Sequence, residues 1–430
     1  MNIYVPAEYS EGKAVGGYTA ETAPIFFLNK IGGYMPAEPA SLAAEKRGDT
    51  GFRDSTVQAA LAHGYVVASP GARGRSGKNA GGSFTGKAPA AIVDLKAAVR
   101  YLKWNDSRMP GNAKFIISDG TSAGGALSAL LGATGNNKDY APYLESIGAA
   151  PAADDIFAVS AYCPITNLEH ADMAYEWQFK GVNERHGMNL AVVGGKMTRT
   201  PVNDTLSPAQ IRVSEKLARA FPAYVNSLKL RDGKGSPLTL DSLGKGPFLD
   251  YVKSFVIASA KGAQAGGADL NKFPWLEVSG GKITGVNFPA YVRAMQRQKT
   301  PPAFDALDIS SGENQEFGTS KTDALHFTDF SLRESTVKAG IADAKIIRMM
   351  NPLYYIGAAG TKCAAHWRIR HGTKDKDTGL AVSVILATEL REKGADVNFA
   401  LPWERPHSGD YDLDELFAWI DAAVAADAAE

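Results

Sequence analysis

Short apolar runs alternate with amphipathic stretches over the first third of the chain. Ile25–Leu28, Tyr65–Ala68, Phe115–Ser118 and Phe157–Tyr162 are each continuously apolar or small, and glycine-rich turns follow the first two. Runs this short and this uniform suit strands that are buried on both faces. Between the second and third, Ile92, Leu95, Val99 and Leu102 recur at helical spacing on one face. Strands alternating with helices predict an α/β fold, a mostly parallel sheet with helices on both sides.

The alternation stops near Pro164 and resumes after Ile347. In between, Pro208–Phe221 and Phe288–Gln298 predict helices, set among polar loops rich in Gly and Pro such as Asp232–Pro237. The pattern then returns with a strand at Trp367–Arg370, a helix at Leu380–Lys393, a last strand at Val397–Leu401 and a last helix at Leu413–Ala425. The economical division is a discontinuous core, residues 1–163 and 348–430, interrupted by a cap at 164–347. There is no internal repeat and no low-complexity tract.

Composition narrows the function classes. The 430 residues carry 46 Lys+Arg and 46 Asp+Glu, a formal net charge of zero. Nucleic-acid binders usually carry a basic surplus or stripe, and no run of five like charges occurs here. No stretch approaches the ~18 consecutive apolar residues that a membrane span needs. The start, Met1-Asn-Ile-Tyr-Val-Pro, has no basic region followed by an apolar segment, so as numbered it is not a signal peptide. Two cysteines in a chain this long are no disulfide framework; Cys163 and Cys363 are expected to be small buried hydrophobes.

The sharpest chemical signal is Gly120-Thr-Ser122-Ala-Gly124, directly after the strand Phe115–Ser118 and directly before the apolar stretch Ala126–Leu131. A serine nucleophile on a strand-to-helix turn needs small neighbours, because the turn is strained and packs against adjacent strands. The helix N-terminus that follows favours a developing oxyanion. This arrangement predicts the chain order serine, acid, histidine. Of the seven histidines, His63 precedes the serine, and His170, His186 and His326 fall in the insertion. His366 and His371 flank a strand and precede the best acid. His407 remains, in the loop between the last strand and the last helix. The acid belongs to the loop after the preceding strand, where Asp375 and Asp377 stand two residues apart. In an extended loop both point the same way, with Asp375 the expected partner of His407. An oxyanion hole needs two N–H donors. Ala123, after the nucleophile, offers one, and Gly33 in Ile31-Gly-Gly-Tyr34 offers the other.

Two other motifs fail. Gly71–Asn79 resembles a phosphate loop, but five residues rather than four separate its glycines and Asn79 stands where Ser or Thr would bind magnesium. It reads as a glycine turn. His366 and His371 lack the spacing and glutamate of a zinc helix, so no metal is expected.

Longer strings are more specific than the serine motif. Met1-Asn-Ile-Tyr-Val-Pro, Phe27-Leu-Asn-Lys-Ile-Gly-Gly-Tyr-Met, Ser69-Pro-Gly-Ala-Arg-Gly-Arg, Gly120-Thr-Ser-Ala-Gly-Gly, His366-Trp-Arg-Ile-Arg-His-Gly-Thr and Asp410-Tyr-Asp-Leu-Asp-Glu-Leu-Phe-Ala-Trp resemble bacterial tannases (tannin acyl hydrolases). The similarity runs through nearly the whole chain. It implies an α/β-hydrolase core with a large lid inserted after the strand ending near Tyr162, and a triad of Ser122, Asp375 and His407. It further implies that Lys299, Glu313 and Asp377 hold the three hydroxyls of a galloyl ring; without the resemblance, Lys299 and Glu313 read as ordinary surface. The implied reaction is hydrolysis of galloyl ester and depside bonds through a galloyl-enzyme. It needs no cofactor, and the partner is a small polyphenol ester rather than nucleic acid or membrane. No oligomeric state is implied, and a monomer suffices. Family members usually carry an upstream segment, whereas this chain begins inside a strand. The compartment therefore stays open between cytoplasm and the trimmed form of a secreted precursor. The rival readings are a feruloyl esterase or broad carboxylesterase, and a non-catalytic binding protein of the same fold, against which the intact triad argues.

Overall fold

Alternate residues of the first buried run go to opposite sides of one sheet. Ile25 and Phe27 join a core on one face, while Phe26 and Leu28 join a second core on the other. In the computed structural model, which describes residues 1–42, 54–193 and 196–429, seven strands form this sheet. They are β1 (Asn2–Tyr4), β2 (Pro24–Leu28), β3 (Val66–Ser69), β4 (Asn112–Thr121), β5 (Ala158–Tyr162), β6 (His366–Arg370) and β7 (Asp396–Ala400). Their spatial order is β1-β3-β2-β4-β5-β6-β7, with β1 antiparallel at the edge and the rest parallel. The expected α/β fold with a mostly parallel sheet is therefore present.

Every residue of β2, β3 and β5 is buried, as a parallel sheet covered on both faces requires. The helix Ala90–Trp104 lays Ile92, Leu95, Val99 and Leu102 against the sheet with no exposed surface. The helix Leu413–Ala429 covers the opposite face with Leu416, Phe417 and Ile420. Order along the sheet reverses at β2, with β3 on one side and β4 on the other. A crevice at such a switch point, outside the carboxyl ends of the strands, is where open α/β sheets bind ligands.

Between β5 and β6 the chain leaves the sheet for just over two hundred residues, and none of the insertion's described strands joins it. The expected helices appear as Pro208–Leu228 and Phe288–Met295. The sequence reading had missed the helices Leu168–Phe179 and Pro247–Ala265 and two antiparallel hairpins, Glu184–Val193 with Lys196–Thr205 and Leu276–Ser279 with Lys282–Val286. The helix Ala344–Met349 crosses the boundary set at 347. Among the described residues no helix is long and apolar enough to cross a membrane.

Candidate active site

Strand β4 ends at Thr121 and the helix Ala123–Ala133 begins one residue later. Ser122 makes the whole turn by itself, at φ 62° and ψ −122°. An L-residue holds so sparsely populated a conformation only where its surroundings over-determine it. Here the Ser122 N–H donates to Tyr162 O at 2.9 Å, and Ser122 O accepts from Ala126 N–H at 2.9 Å. A Cβ on Gly124 would lie 2.7 Å from Ile31 O, so only glycine lets the loop after β2 approach the helix N-terminus. That loop carries Gly33, itself left-handed at φ 55°. The N–H of Ala123, in the helix's first turn, has no acceptor within the helix. The two expected oxyanion donors thus lie on adjoining segments.

Asp375 and His407 meet at the carboxyl end of the sheet. His407 Nδ1 donates to Asp375 Oδ2 at 2.7 Å, and Asp375 is fully buried. The loop is turned rather than extended as expected: Asp375 N–H bonds Gly372 O and Asp377 N–H bonds Asp375 Oδ1. Both carboxylates still face the imidazole, with Asp377 Oδ2 3.9 Å from His407 Nε2. His371, set aside by chain order, is buried with its Nε2 3.7 Å from the same Asp375 Oδ2, and its Nδ1 lies 2.9 Å from Ser383 Oγ. Burial alone would favour the uncharged acid, but His407 and His371 hold Asp375 well below the usual carboxylate range. Burial likewise opposes charge on His407, yet Asp375 and Asp377 outweigh it and raise the imidazole well above its ordinary value.

Ser122 reaches this pair through its neighbours. Its N–H is bonded to Tyr162, the next residue, Cys163, donates its N–H to Arg370 O at 2.7 Å, and Gly409 packs against Thr121 and Tyr162. Cys163 is buried as expected, but it is no plain hydrophobe. Its Sγ lies 3.5 Å from Ser408 O, and burial together with Asp375 pushes the thiol up. Cys363, expected to be buried, is only partly so. Among the described residues, Cys163, Asp375 and His407 offer potential metal-ligand atoms within 4.8 Å of one another. Since Nδ1 of His407 is already bonded to Asp375, the arrangement suits a positioned base better than a ligand set.

The loops carrying Asp375 and His407 are clamped together. Lys374 N–H donates to Arg405 O at 2.9 Å, and a Cβ on Gly372 would overlap that same carbonyl. Gly372→Ala is therefore expected to part the two loops. The low-field imidazole proton resonance of the Asp375–His407 bond should vanish while the far-UV spectrum stays native. An unchanged resonance would show that the loops tolerate the methyl group.

Two further charged groups, from the insertion, approach Asp377. Lys299 Nζ lies 3.2 Å from Asp377 Oδ2 and 4.0 Å above the Phe304 ring. Tyr175 fixes this approach: its hydroxyl accepts from Lys299 N–H at 3.1 Å and donates to Lys376 O at 3.0 Å, tying the insertion to the Asp375 loop. Glu313 sits in the first turn of Gly312–Glu316, a helix capped by Ser311 and anchored through Asn314 to buried Asp305. Burial raises the Glu313 carboxyl, against the pull of Lys299. Lys299, Glu313 and Asp377 are thus brought together from the insertion and the sheet.

The sequence reading missed Arg75. This buried guanidinium donates from Nε to Gly33 O at 2.8 Å and bonds Gln315 through Nη1, joining the Gly33 loop to the Glu313 helix. The string Ser69–Arg75 is among those that carry the resemblance, but Gly71–Asn79 read as a mere glycine turn, which gave Arg75 no role.

Known proteins bear on this geometry. A family profile, BD-FAE, matches residues 40–214. The esterase LipC of Mycobacterium tuberculosis is 30% identical over 97 residues, a match spanning 23% of this chain and 21% of that protein. Tannase from Lactobacillus plantarum superposes with a TM-score of 0.94 at 46% identity, covering 98% of this chain and 91% of that one. Fusobacterium nucleatum tannase gives 0.91 at 49%, over 98% and 90%. A tannin acyl hydrolase in complex with ethyl gallate gives 0.92 at 46%, over 98% and 89%. Such identity over nearly the full length of both chains shows that this chain belongs to the bacterial tannases, carboxylic ester hydrolases of the α/β-hydrolase fold.

Proposed function

We propose that the chain hydrolyses galloyl esters through a covalent galloyl-enzyme, with Ser122 as nucleophile, His407 as base and Asp375 as its orienting acid. One observation carries the reading: the turn Asp375–Asp377 gives one carboxylate to His407 Nδ1 and the other to Lys299, beside Nε2 of the same ring. The machinery of acyl transfer and a charged cradle for phenols thus share one turn. Nε2 is buried and has no hydrogen-bond partner among the described residues, which leaves it for the serine hydroxyl.

Ser122 Oγ attacks the ester carbonyl as its proton passes to His407 Nε2. Asp375 keeps the proton of Nδ1 in place and stabilises the imidazolium. The N–H groups of Gly33 and Ala123 receive the oxyanion; losing one such donor costs ~3 kcal/mol of activation free energy. His407 then protonates the departing alcohol, and water activated by the same nitrogen releases gallate. In this scheme the segment 164–347 is the lid, Lys299, Glu313 and Asp377 hold the ring hydroxyls, and the protein acts on a small phenolic ester without a further partner. The bound ethyl gallate of a tannin acyl hydrolase 46% identical to this chain supports that substrate class.

Removing one charge of the cradle tests the assignment. Lys299→Met, Glu313→Gln and Asp377→Asn should each lower kcat/KM on methyl gallate by roughly 10- to 100-fold, the worth of a hydrogen bond to a charged group. The slow rate on methyl benzoate, which has no hydroxyl to lose, should change little. Equal losses on both esters would place the three residues outside hydroxyl recognition.

A further inference from the structure

The motif Asp410-Tyr-Asp412 follows His407 by three residues and has no part in the chemistry above. It is fastened to the carboxyl ends of the strands. Tyr162 Oη donates to Asp412 Oδ1 at 2.5 Å, Arg368 Nη2 to Asp412 Oδ2 at 2.5 Å, and Arg370 Nη2 to Glu415 Oε1 at 2.6 Å. Asp410 stands at a left-handed φ of 53°, and its Oδ2 accepts from Thr56 Oγ1 at 3.0 Å. Facing it is Asp119 on β4, three residues before Ser122 and fully buried.

These two carboxyls present an imbalance. Among the described residues, both oxygens of Asp119 and Oδ1 of Asp410 are buried without a hydrogen-bond partner, although Asp119 lies within interaction reach of both the Asp410 carboxyl and the Ser160 hydroxyl. Two ionised carboxylates in such contact, out of water, repel strongly. Of the neighbouring cations, Arg370 bonds Glu415, and Arg368 bonds Tyr162 and Asp412 through its Nη atoms; Arg368 Nε has no partner among the described residues, and its charge pulls against the rise of both carboxyls. The other described groups around the pair are Ser160 on β5, Tyr162, Tyr411, Thr56 and Asp412, none of them cationic.

We propose that Asp119 and Asp410 share one proton, and that this acid pair is a positioning device that fastens the His407 loop to the strand carrying Ser122. One carboxyl donates an O–H to the other, supplying the missing donor and tying base to nucleophile from behind. Burial raises both groups and Asp410 raises Asp119 further, against the pull of Arg368, so the pair holds its proton above the ordinary carboxylate range. At alkaline pH it leaves to solvent, two like charges face each other, and the loop is pushed from the strand.

The proposal rests on Ser122 and His407 being the reacting pair, so the test reads that pair without a phenolic substrate. The second-order rate of Ser122 labelling by a fluorophosphonate is followed against pH in the full-length protein. Wild-type labelling should rise as His407 loses its proton and then decline at higher pH. Asp119→Asn and Asp410→Asn, each keeping a donor between the two groups, should stay within a few-fold of wild type at neutral pH and lose the alkaline decline. Asp119→Ala should lose roughly 10²-fold at neutral pH, the cost of a small misplacement of reacting groups. An alkaline decline that is absent from wild type, or unchanged in both asparagine variants, overturns the acid pair. So does Asp119→Asn as slow as Asp119→Ala. Wild type unlabelled at Ser122 overturns the triad assignment as well.

Discussion

Ser122→Ala is expected to lower kcat on methyl gallate by roughly 10⁶-fold, the loss found when a triad serine is removed from a hydrolase whose oxyanion hole stays intact. The residue reverses the chain between β4 and the helix behind it at φ 62°, a conformation that aims a side chain outward from the sheet's end. Alanine adopts that conformation no less readily than serine. The cooperative melt should therefore persist, as should binding of gallate, and fluorophosphonate labelling should disappear. Steady-state kinetics on purified protein measures the first effect, and intact mass after labelling the second. Turnover close to wild type would remove Ser122 from the chemistry and leave the fold without its expected nucleophile.

The next largest effect is expected at Asp375. Replacement by asparagine leaves the shape unchanged but offers His407 Nδ1 an amide donor where it now meets an acceptor at 2.7 Å. The ring then holds its proton on the wrong nitrogen, and kcat should fall roughly 10⁴-fold. The pH profile should move as well, in a direction fixed by sign. His407 acts as base only when neutral, so activity rises as pH passes its pKa from below. After the opposing effect of burial, Asp375 is the strongest influence on that pKa, holding it well above the ordinary imidazole value. Losing the negative charge lowers it, so the acid limb of kcat/KM should shift toward lower pH even as the plateau collapses. A shift toward higher pH, or a full rate, would show that Asp375 does not face the base as its charge requires. Asp377, the second contributor to the raised pKa, should give a smaller shift of the same sign when neutralised.

Much of this arrangement was legible in the residues because strong physical constraints leave strong patterns. A strand buried on both faces must be apolar throughout, and Ile25–Leu28 and Tyr65–Ala68 show it. A helix lying on a sheet must repeat at 3.6 residues, and Ile92–Leu102 does. Ser122, Asp375 and His407 follow from chain order once the strand-to-helix turn is located. The insertion obeys weaker rules. The paired strands Glu184–Val193 and Lys196–Thr205 carry Arg185, Thr198, Pro201 and Asn203 and never alternate cleanly, and the helix Leu168–Phe179 places His170, Asp172, Glu176 and Gln178 among its apolar residues. Glu176 is buried there because Arg297 pairs with it at 2.9 Å, a contact between residues over a hundred positions apart that no local window reveals. Arg75 escaped for a similar reason: its partners, Gly33 and Gln315, lie 42 residues before it and 240 after it. Lys299 and Glu313 were reached through family resemblance alone, since neither stands in a pattern that separates it from solvated surface.

The central claim, that charged side chains placed against ring hydroxyls direct this esterase to galloyl groups, is tested most directly by one comparison on the wild-type protein. The measurement is kcat/KM for the methyl esters of gallate, ferulate and benzoate under identical conditions. A site whose buried charges are left unpaired by a missing hydroxyl discriminates by ~10⁴, so methyl gallate should exceed methyl benzoate by about that factor, with methyl ferulate far below gallate. Equal rates on gallate and benzoate, or a preference for ferulate, would contradict it.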